Sequence, residues 1–589
     1  MFADTLQEAA DLIWSFPVVG LCLLGAVFFT AQLGFVQVRA FPHALALLRG
    51  TYDRDDETGT LTHFQALMAA LSGTIGIGNI GGVAIAIAVG GPGAVLWMWV
   101  LGLFAMATKF VECTLATKYR TIDPETGAVR GGPMYYIEQA LGPKFRPLAL
   151  FYAITVAVAG FGFACMFQTN QAASALESGL NVPPWVTGCA MVLLGGITIV
   201  GGIKRIGATA AKVVPLMCGV YLLGAAVICA FNIEHVGSAL ALIIEDGFSG
   251  RAVLGGSITA VILAGVRRAV FSNEAGLGSA AMAHATVKTD HPVREGIVAS
   301  LGPFIDTIVV STATAMVILL GGRFGADADA PVPVVFAQIE SNEAGDPPTT
   351  WRFDATVEAD ALTDVHGVRL SHRVERGALR VEIHDITDGE ERPLARGSIG
   401  GGPSADAPLR GCDFETSAAR RCTLGLILDP AEHPGARTLR VQVSSVTGDT
   451  SASVSQVELV RPVQGIALTA SAFDEELPGF GTWFIPIAGF FFAFSTMVTW
   501  SFYGETATVY LVGNRGVRPY RILFVSLAYV GATQSLGVVI SFSDAMVGLL
   551  VIPNTIALLL LSGRVREMAK DYFAALRRGD FDPGSRDDS

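Results

Sequence analysis

Residues 72–82, Ser72-Gly-Thr-Ile-Gly-Ile-Gly-Asn-Ile-Gly-Gly82, put five glycines, two hydroxyls and an amide in the middle of an apolar run long enough to cross a bilayer. Glycine weakens a helix, and backbone polar groups opened in lipid find no water to pair with. A break at that depth is tolerated only where it is buried in protein or lines a cavity. Such breaks mark the binding sites of secondary transporters. A second one reads Arg267-Arg-Ala-Val-Phe-Ser-Asn-Glu-Ala-Gly-Leu-Gly-Ser279, with an expected interruption over 271–278. Ser272, Asn273 and Glu274 are three consecutive polar residues that need hydrogen-bond partners if buried. Ionisable groups at such depth are functional candidates.

The run Gly76-Ile-Gly-Asn-Ile-Gly81 also fits the GxGxxG spacing of a dinucleotide site. That chemistry requires a preceding strand and a βαβ unit, and a membrane segment supplies neither. Gly78 and Gly82 form a GxxxG pair, which alone would mean close helix packing; Thr74 and Asn79 among the glycines favour a polar site. Four other charges, Glu112, Arg268, Asp306 and Glu505, fall in or near apolar segments. Arg268 with one carboxylate would make a gate or an internal brace. Glu112 and Asp306 are candidate coupling groups, and structural pairing and proton coupling both stay open for them.

The elements that must position these residues are membrane helices. Of 589 residues, 51% are hydrophobic and 16% charged, with a mean hydropathy of +0.51. That excludes disorder and disfavours an ordinary soluble enzyme. Eleven spans are expected, at 14–37, 62–90, 92–118, 146–177, 184–202, 209–231, 254–288, 293–321, 481–511, 519–541 and 543–563. The second and seventh are the broken ones. Five crossings separate them, so two inverted five-helix repeats are expected, 2–6 and 7–11, with the breaks meeting at mid-depth.

Lys and Arg in short loops fall on alternate sides, as with Arg39 and Arg49, then Lys204, Arg205 and Lys212, then Arg515, Arg518 and Arg521. The loops 177–184 and 232–247 carry none. The positive side is cytoplasmic, so the N-terminus is expected outside and the C-terminus inside. The N-terminal ten residues lack a basic region, and no cleaved signal peptide is expected.

This divides the chain into a transporter core at 1–323 and 464–565, an inserted extracytoplasmic domain at 324–463 and a cytoplasmic tail at 566–589. The insert is polar and turn-rich, and 352–358, 379–384 and 439–446 alternate like strands; a small β-sandwich is expected. Cys412 and Cys422 lie in it and suit a disulfide in an oxidising compartment. The other six cysteines sit in apolar segments as small buried hydrophobes. The net charge of −12 comes largely from the insert and tails and gives no reason to expect nucleic acid.

Four motifs resemble the alanine or glycine:cation symporter family: Gly73-Thr-Ile-Gly-Ile-Gly-Asn-Ile80, Gly131-Gly-Pro-Met-Tyr-Tyr136, Phe271-Ser-Asn-Glu-Ala-Gly276, and Ala493-Phe-Ser-Thr496 with Trp500-Ser-Phe-Tyr-Gly-Glu505. The resemblance implies a fold similar to the leucine transporter and sodium-driven uptake of a small amino acid across the cell inner membrane. It implies a substrate site at Thr74, Ile77, Gly78, Asn79, Gln168, Phe271, Asn273 and Trp500. Amides near Ile77 and Gly78 would take the carboxylate, and carbonyls near Phe271 the ammonium. Phe271 and Trp500 would limit side-chain size. Gln168 lies in a segment that departs from the family, with Ala164-Cys165 where Gly-Asn is expected.

Sodium would bind the carbonyls of Ser72 and Ile75 with the hydroxyls of Ser495 and Thr496, and a further sodium would sit near Thr74, Asn79 and Ser272. Sodium is then the only cofactor expected, carried as cargo. The expected partners are the amino acid, the lipid bilayer and a periplasmic partner for the insert. No nucleophile elbow, metal motif or phosphate loop points to an enzyme. The rival readings are an amino-acid sensor built on the insert and a proton-coupled transporter using Asp306 or Glu112.

Overall fold

The computed structural model describes residues 10–581 except 11, 55, 250–257, 323–328, 332–335, 342–349, 358–366, 377–378, 388–390, 400–408, 411–419, 426–436, 446–450, 463–464 and 535. The chain forms two compact units, 1–321 with 465–589, and 322–464.

The first unit is helical. Among the described residues, six helices are long and apolar enough to cross a bilayer: Ala94–Lys118, Pro143–Leu180, Gly202–Phe231, Pro292–Leu320, Phe480–Val512 and Phe542–Arg578. The helices His63–Thr74 and Gly78–Gly90 make a seventh as a pair bent by 55°. Pro17–Gln32 and Pro184–Val200 are apolar and shorter. Leu193, Leu216 and Leu223 project from these helices with more than 60% of their surface open, as expected of side chains that face lipid tails. The unit is therefore a polytopic membrane structure.

His63–Thr74 starts at a capping box: Gln65 N donates to Thr62 Oγ1 and Thr62 N donates to Gln65 Oε1, both at 3.2 Å. The sequence motif Thr-x-x-Gln prescribes this start. The helix stops at Thr74 because glycines follow. The second broken helix, Ile258–Asn273, runs on through Phe271. Its break covers 274–278, not 271–278, before Ala280–His284 resumes. Backbone angles give the reason: Glu274, Gly276 and Gly278 have φ of 54°, 91° and 76°. The helix runs on until Glu274, the first residue held in the left-handed region, ends it.

The stretch 232–247, read as a loop, is instead helical from Ile233 on, within the helix Ile233–Ser249. Asp246 Oδ2 accepts from Gly93 N at 2.8 Å and Trp97 Nε1 donates to Gly247 O at 3.1 Å, which fastens it to the core. A lack of Lys and Arg describes charge and does not distinguish a loop from an amphipathic helix.

Among the described residues, three stretches are π-helical: Gly78–Gly82, Gly160–Phe167 and Phe304–Ser311. Such wider, i→i+5 bonded turns are frequent at functional sites.

Among the described residues, the second unit contains two antiparallel five-stranded sheets. One runs Asp329–Pro331, Ser451–Pro462, Gly367–Arg376, Arg420–Gly425, Leu409–Arg410; the other runs Ala337–Ser341, Thr350–Val357, Arg437–Ser445, Leu379–Asp385, Arg392–Ile399. The three segments whose alternation is legible in sequence are neighbours at the centre of the second sheet. They are legible because Trp351, Phe353, Ala355 and Val357 are buried on one face while their neighbours are not. Cys412, and with it the expected Cys412–Cys422 pair, lies outside the described residues.

Candidate functional site

At the first break, Ile75 and Gly76 leave the helix. Two amides are freed and each finds a neutral carbonyl oxygen. Gly76 N donates to Asn79 Oδ1 at 3.1 Å and Ile77 N donates to Gln168 Oε1 at 3.2 Å. A carboxylate accepts about twice as strongly as a neutral amide, so these N–H groups remain open to an anionic competitor. Only glycine fits at 76: a Cβ there would lie 2.5 Å from Thr496 Oγ1 and 3.1 Å from Gln168 Oε1. The Thr74 hydroxyl bonds back to Leu71 O at 3.4 Å and is directed at its own helix.

Asn79 links the two broken helices. Its Nδ2 donates to Ser272 Oγ at 2.8 Å and lies 3.2 Å from Asp306 O and 3.3 Å from Ser311 Oγ. Ser272 Oγ donates to Asp306 Oδ1 at 2.9 Å, and Thr307 Oγ1 donates to the same oxygen at 2.6 Å. Asp306 is fully buried, and its Oδ2 has no hydrogen-bond partner among the described residues. The carbonyl of Asn79 is occupied too, by Thr314 Oγ1 at 2.7 Å. The result is a cluster of hard oxygen atoms around one carboxylate, and hard cations take oxygen ligands.

A second oxygen cluster ties the first break to the helix Phe480–Val512. Ser72 Oγ donates to Ser495 O at 2.9 Å, and Ser495 Oγ donates to Ser72 O at 3.3 Å. Thr496 Oγ1 is buried against Gly76 and has no partner among the described residues. One and two turns further on, the hydroxyls of Thr499 and Tyr503 are buried and unpartnered as well. Helix threonines usually bond back to a carbonyl four residues earlier, so unpaired ones facing a helix break are ready ligands.

Aromatic rings close the site. Phe271 meets Phe163 edge-on at 4.7 Å and Phe167 at 5.4 Å, and Phe163 meets Trp500 at 5.0 Å. Gly78 packs on Phe271, whose Cδ1 would lie 3.2 Å from a Cβ at that position. Phe163 and Phe167 escape the sequence reading because they look like ordinary core residues of an apolar helix; the π-helical turn carries them to the site.

At the second break, Lys109 Nζ donates to Glu274 O at 2.9 Å. Gly276 N and Asn554 Nδ2 both donate to Glu112 Oε1 at 2.8 Å. Asn554 Nδ2 also lies 2.8 Å from Gly276 O, and Tyr152 Oη donates to Leu277 O at 2.7 Å. Lys109 Nζ stands 3.8 Å from Glu112 Oε2. The side chain of Glu274 accepts from Trp500 Nε1 at 2.8 Å and from Ser279 Oγ. Glu112 is thus a brace of the second break.

Asn273 folds into that brace: its Oδ1 accepts from Ala275 N at 2.9 Å and its Nδ2 donates to Thr307 Oγ1 at 3.1 Å. Arg268 meets neither Glu112 nor Asp306. It and Arg267 pair with Asp544, at 3.2 and 2.5 Å. Glu505 pairs with Arg521 at 2.7 Å and lies 3.7 Å from Arg130.

Sequence reasoning missed Lys109, Asp544 and Asn554; it singled out Glu274 as a buried group in need of partners, and those are Trp500 and Ser279. A carboxylate at the expected start of a span reads as a helix end. The last helix in fact begins at Leu536, which sets Asp544 two turns inside it.

The chain matches the family described as the sodium:alanine symporter family over residues 1–343 and 441–585. The stretch without a match, 344–440, falls inside the β unit. It is similar to the sodium/alanine symporter AgcS of Methanococcus maripaludis, 34% identical over 574 residues, covering 97% of each chain. It is also similar to the putative sodium/proton-dependent alanine carrier protein YrbD of Bacillus subtilis, 29% identical over 586 residues, covering 99% of this chain and 94% of that one. A match to the probable sodium/glutamine symporter GlnT of Bacillus subtilis is 37% identical over 317 residues, 54% of this chain and 65% of that one.

Proposed function

The chain belongs to the sodium:alanine symporter family, a family of transporters and not of enzymes, and on that premise we propose that it carries alanine, glycine or a similarly small neutral amino acid into the cell together with sodium. The single observation that supports this most is the convergence at Gly76: two freed amides, a carboxylate-centred oxygen cluster and an unpartnered threonine hydroxyl lie against one helix break.

In this reading the substrate carboxylate displaces the side-chain oxygens of Asn79 and Gln168 from the amides of residues 76–78. The positive end of the half-helix that begins at Gly78 favours that exchange. The ammonium goes to carbonyls at the end of Ile258–Asn273. Phe271, Phe163 and Trp500 leave space for a short side chain. One sodium takes Ser72 O, Ile75 O, Ser495 Oγ and Thr496 Oγ1. A second takes Asp306 with Asn79 and Ser272, where a formal negative charge offsets the ion's desolvation.

Transport is by alternating access of two inverted five-helix repeats among eleven spans, in a fold like that of the leucine transporter. The inner membrane, an outside N-terminus, a cytoplasmic C-terminus and an extracytoplasmic insert belong to the same proposal. At about 100 mV, one charge moving inward provides ~2.3 kcal/mol, roughly a 50-fold gradient of substrate.

Uptake of labelled alanine and glycine by proteoliposomes tests this. Accumulation that requires an inward sodium gradient and grows with negative internal potential is the expected result. Equal uptake with choline in place of sodium would remove the sodium claim. A second reading has protons replacing sodium at Asp306. The free Oδ2 favours it, since that oxygen is where a proton would sit. Sodium-independent uptake driven by an acidic exterior would select that alternative.

A further inference from the structure

Lined by none of the residues of the site above, a cavity of about 250 Å³ lies between the end of the first apolar helix and the C-terminal helix. Its lining includes four cations, Arg39, Arg566, Lys570 and Arg577, together with the apolar Leu33 and Phe573. Among the described residues, no carboxylate is part of the lining. Glu567 and Asp571 occupy the same helix but are not among the residues that line the cavity.

The C-terminal helix supplies Arg566, Lys570, Phe573 and Arg577 at spacings of four, three and four residues, which is one helical face. The opposing wall is a turn held in the left-handed region, Gly34 at φ 60° and Phe35 at φ 55°. Arg39 is anchored there by donating to Leu33 O at 3.2 Å, with its guanidinium 5.4 Å above the Phe573 ring. Arg566, Lys570 and Arg577 are exposed and make no hydrogen bond or ion pair among the described residues. Beside the cavity, Phe35 and Val38 are 57% and 69% exposed.

Four like charges converging on one concavity repel one another unless an anion sits between them. Guanidinium groups bind phosphate oxygens in pairs. An apolar rim next to such a cluster, at the end of a membrane helix, matches an amphiphile whose phosphate enters the cavity while its chains lie along the exposed apolar residues. We propose that this cavity binds the headgroup phosphate of an anionic phospholipid and that the lipid joins the C-terminal helix to the end of the first helix. Basic pockets between membrane helices bind such headgroups, and the shared chemistry here is a phosphate with at least one net negative charge.

The test uses the full chain, purified in detergent and delipidated, with native mass spectrometry of lipid adducts. Phosphatidylglycerol is expected to be retained about 10-fold or more over phosphatidylcholine. The R566Q/K570Q variant is expected to lose about 10-fold in phosphatidylglycerol occupancy, with an unchanged unfolding temperature in lipid-free detergent. The R566K/K570R variant keeps the charge and is expected to retain most of the binding. Equal retention of the two lipids by the wild type, or undiminished phosphatidylglycerol binding by R566Q/K570Q, would overturn the proposal. Inorganic phosphate at millimolar concentration is the third arm. If it displaces the lipid completely and stabilises the protein alone to the same degree, the ligand is free phosphate and the lipid assignment fails.

Discussion

The two broken helices solve the same problem in different ways. At the first break the opened backbone is met by neutral groups, the amide oxygens of Asn79 and Gln168, with hydroxyls nearby that have no partner among the described residues. At the second break it is met by ionic and donor groups that are already engaged: Lys109 on Glu274 O, Glu112 on Gly276 N, Asn554 on Gly276 O and Tyr152 on Leu277 O. Neutral caps exchange readily for a charged ligand, whereas a buried charge left without its partner is costly. The first break is therefore suited to bind and release, and the second to hold its shape. In the proposed mechanism they are the socket and the splint of one site.

The largest expected effect tests the splint. Glu112→Ala strands Gly276 N–H, takes one acceptor from the Asn554 amide and leaves buried Lys109 without its carboxylate, and losing one partner of a buried ion pair costs about 3–5 kcal/mol. Thermal unfolding in detergent should drop by many degrees or no folded protein should be recovered. Glu112→Gln keeps an acceptor and should recover much of that loss. A Glu112→Ala protein with wild-type stability would erase the distinction between the two breaks.

The socket should fail differently, keeping its fold and losing function. Gly76→Ala pushes a methyl to within contact of Thr496 and Gln168, and uptake should fall about 100-fold while the unfolding temperature stays within a few degrees. An active Gly76→Ala protein would mean that the break does not hold the substrate. Asp306→Asn keeps a carbonyl acceptor for Ser272 and Thr307 but removes the charge. The sodium concentration for half-maximal uptake should rise at least about 10-fold, roughly 1.4 kcal/mol. An unchanged sodium titration would take Asp306 out of the ion site.

The smallest effects concern the seam between the two breaks. Trp500 hangs on Glu274 by one hydrogen bond, worth about 1.5–3 kcal/mol when the acceptor is charged. Glu274→Ala should widen substrate size selectivity several-fold, and Trp500→Ala should do the same. A profile that stays restricted to alanine and glycine in both variants would show that the splint does not shape the pocket. Thr499→Val is an isosteric loss of one unpartnered hydroxyl. A change of about two-fold or less in the sodium requirement is expected if Thr496 alone on that face is a ligand, and a larger one would extend the ion site along the helix.

The polar residues that interrupt apolar runs were legible in the sequence, because a membrane leaves few reasons to place Asn79, Ser272 or Asp306 there. Partners were less legible. Arg268 was legible as a charge in need of a carboxylate, but Asp544 lies 276 residues away and was hidden at an expected helix start. The exact place of the second break was missed by three residues, since helix propensity over 271–273 does not reveal where a left-handed residue will stop the turn. Phe163 and Phe167 carried no signal at all, because a π-helical turn is a consequence of packing and has no fixed sequence pattern.

The sequence by itself determined that this is a helical membrane chain with two interrupted segments, a polar insert with alternating strands and a membership written into four short motifs. Those properties follow from local composition and period, which the solvent and the lipid read residue by residue. The tertiary structure alone decided which oxygen faces which: that Glu112 and Lys109 serve the second break, that Asp544 takes both arginines, and that the Thr496 hydroxyl lies against Gly76 with no partner among the described residues. Hydrogen bonds and ion pairs are settled at a few ångströms between residues far apart in the chain, a scale at which helix rotation and break position outweigh anything a linear pattern records.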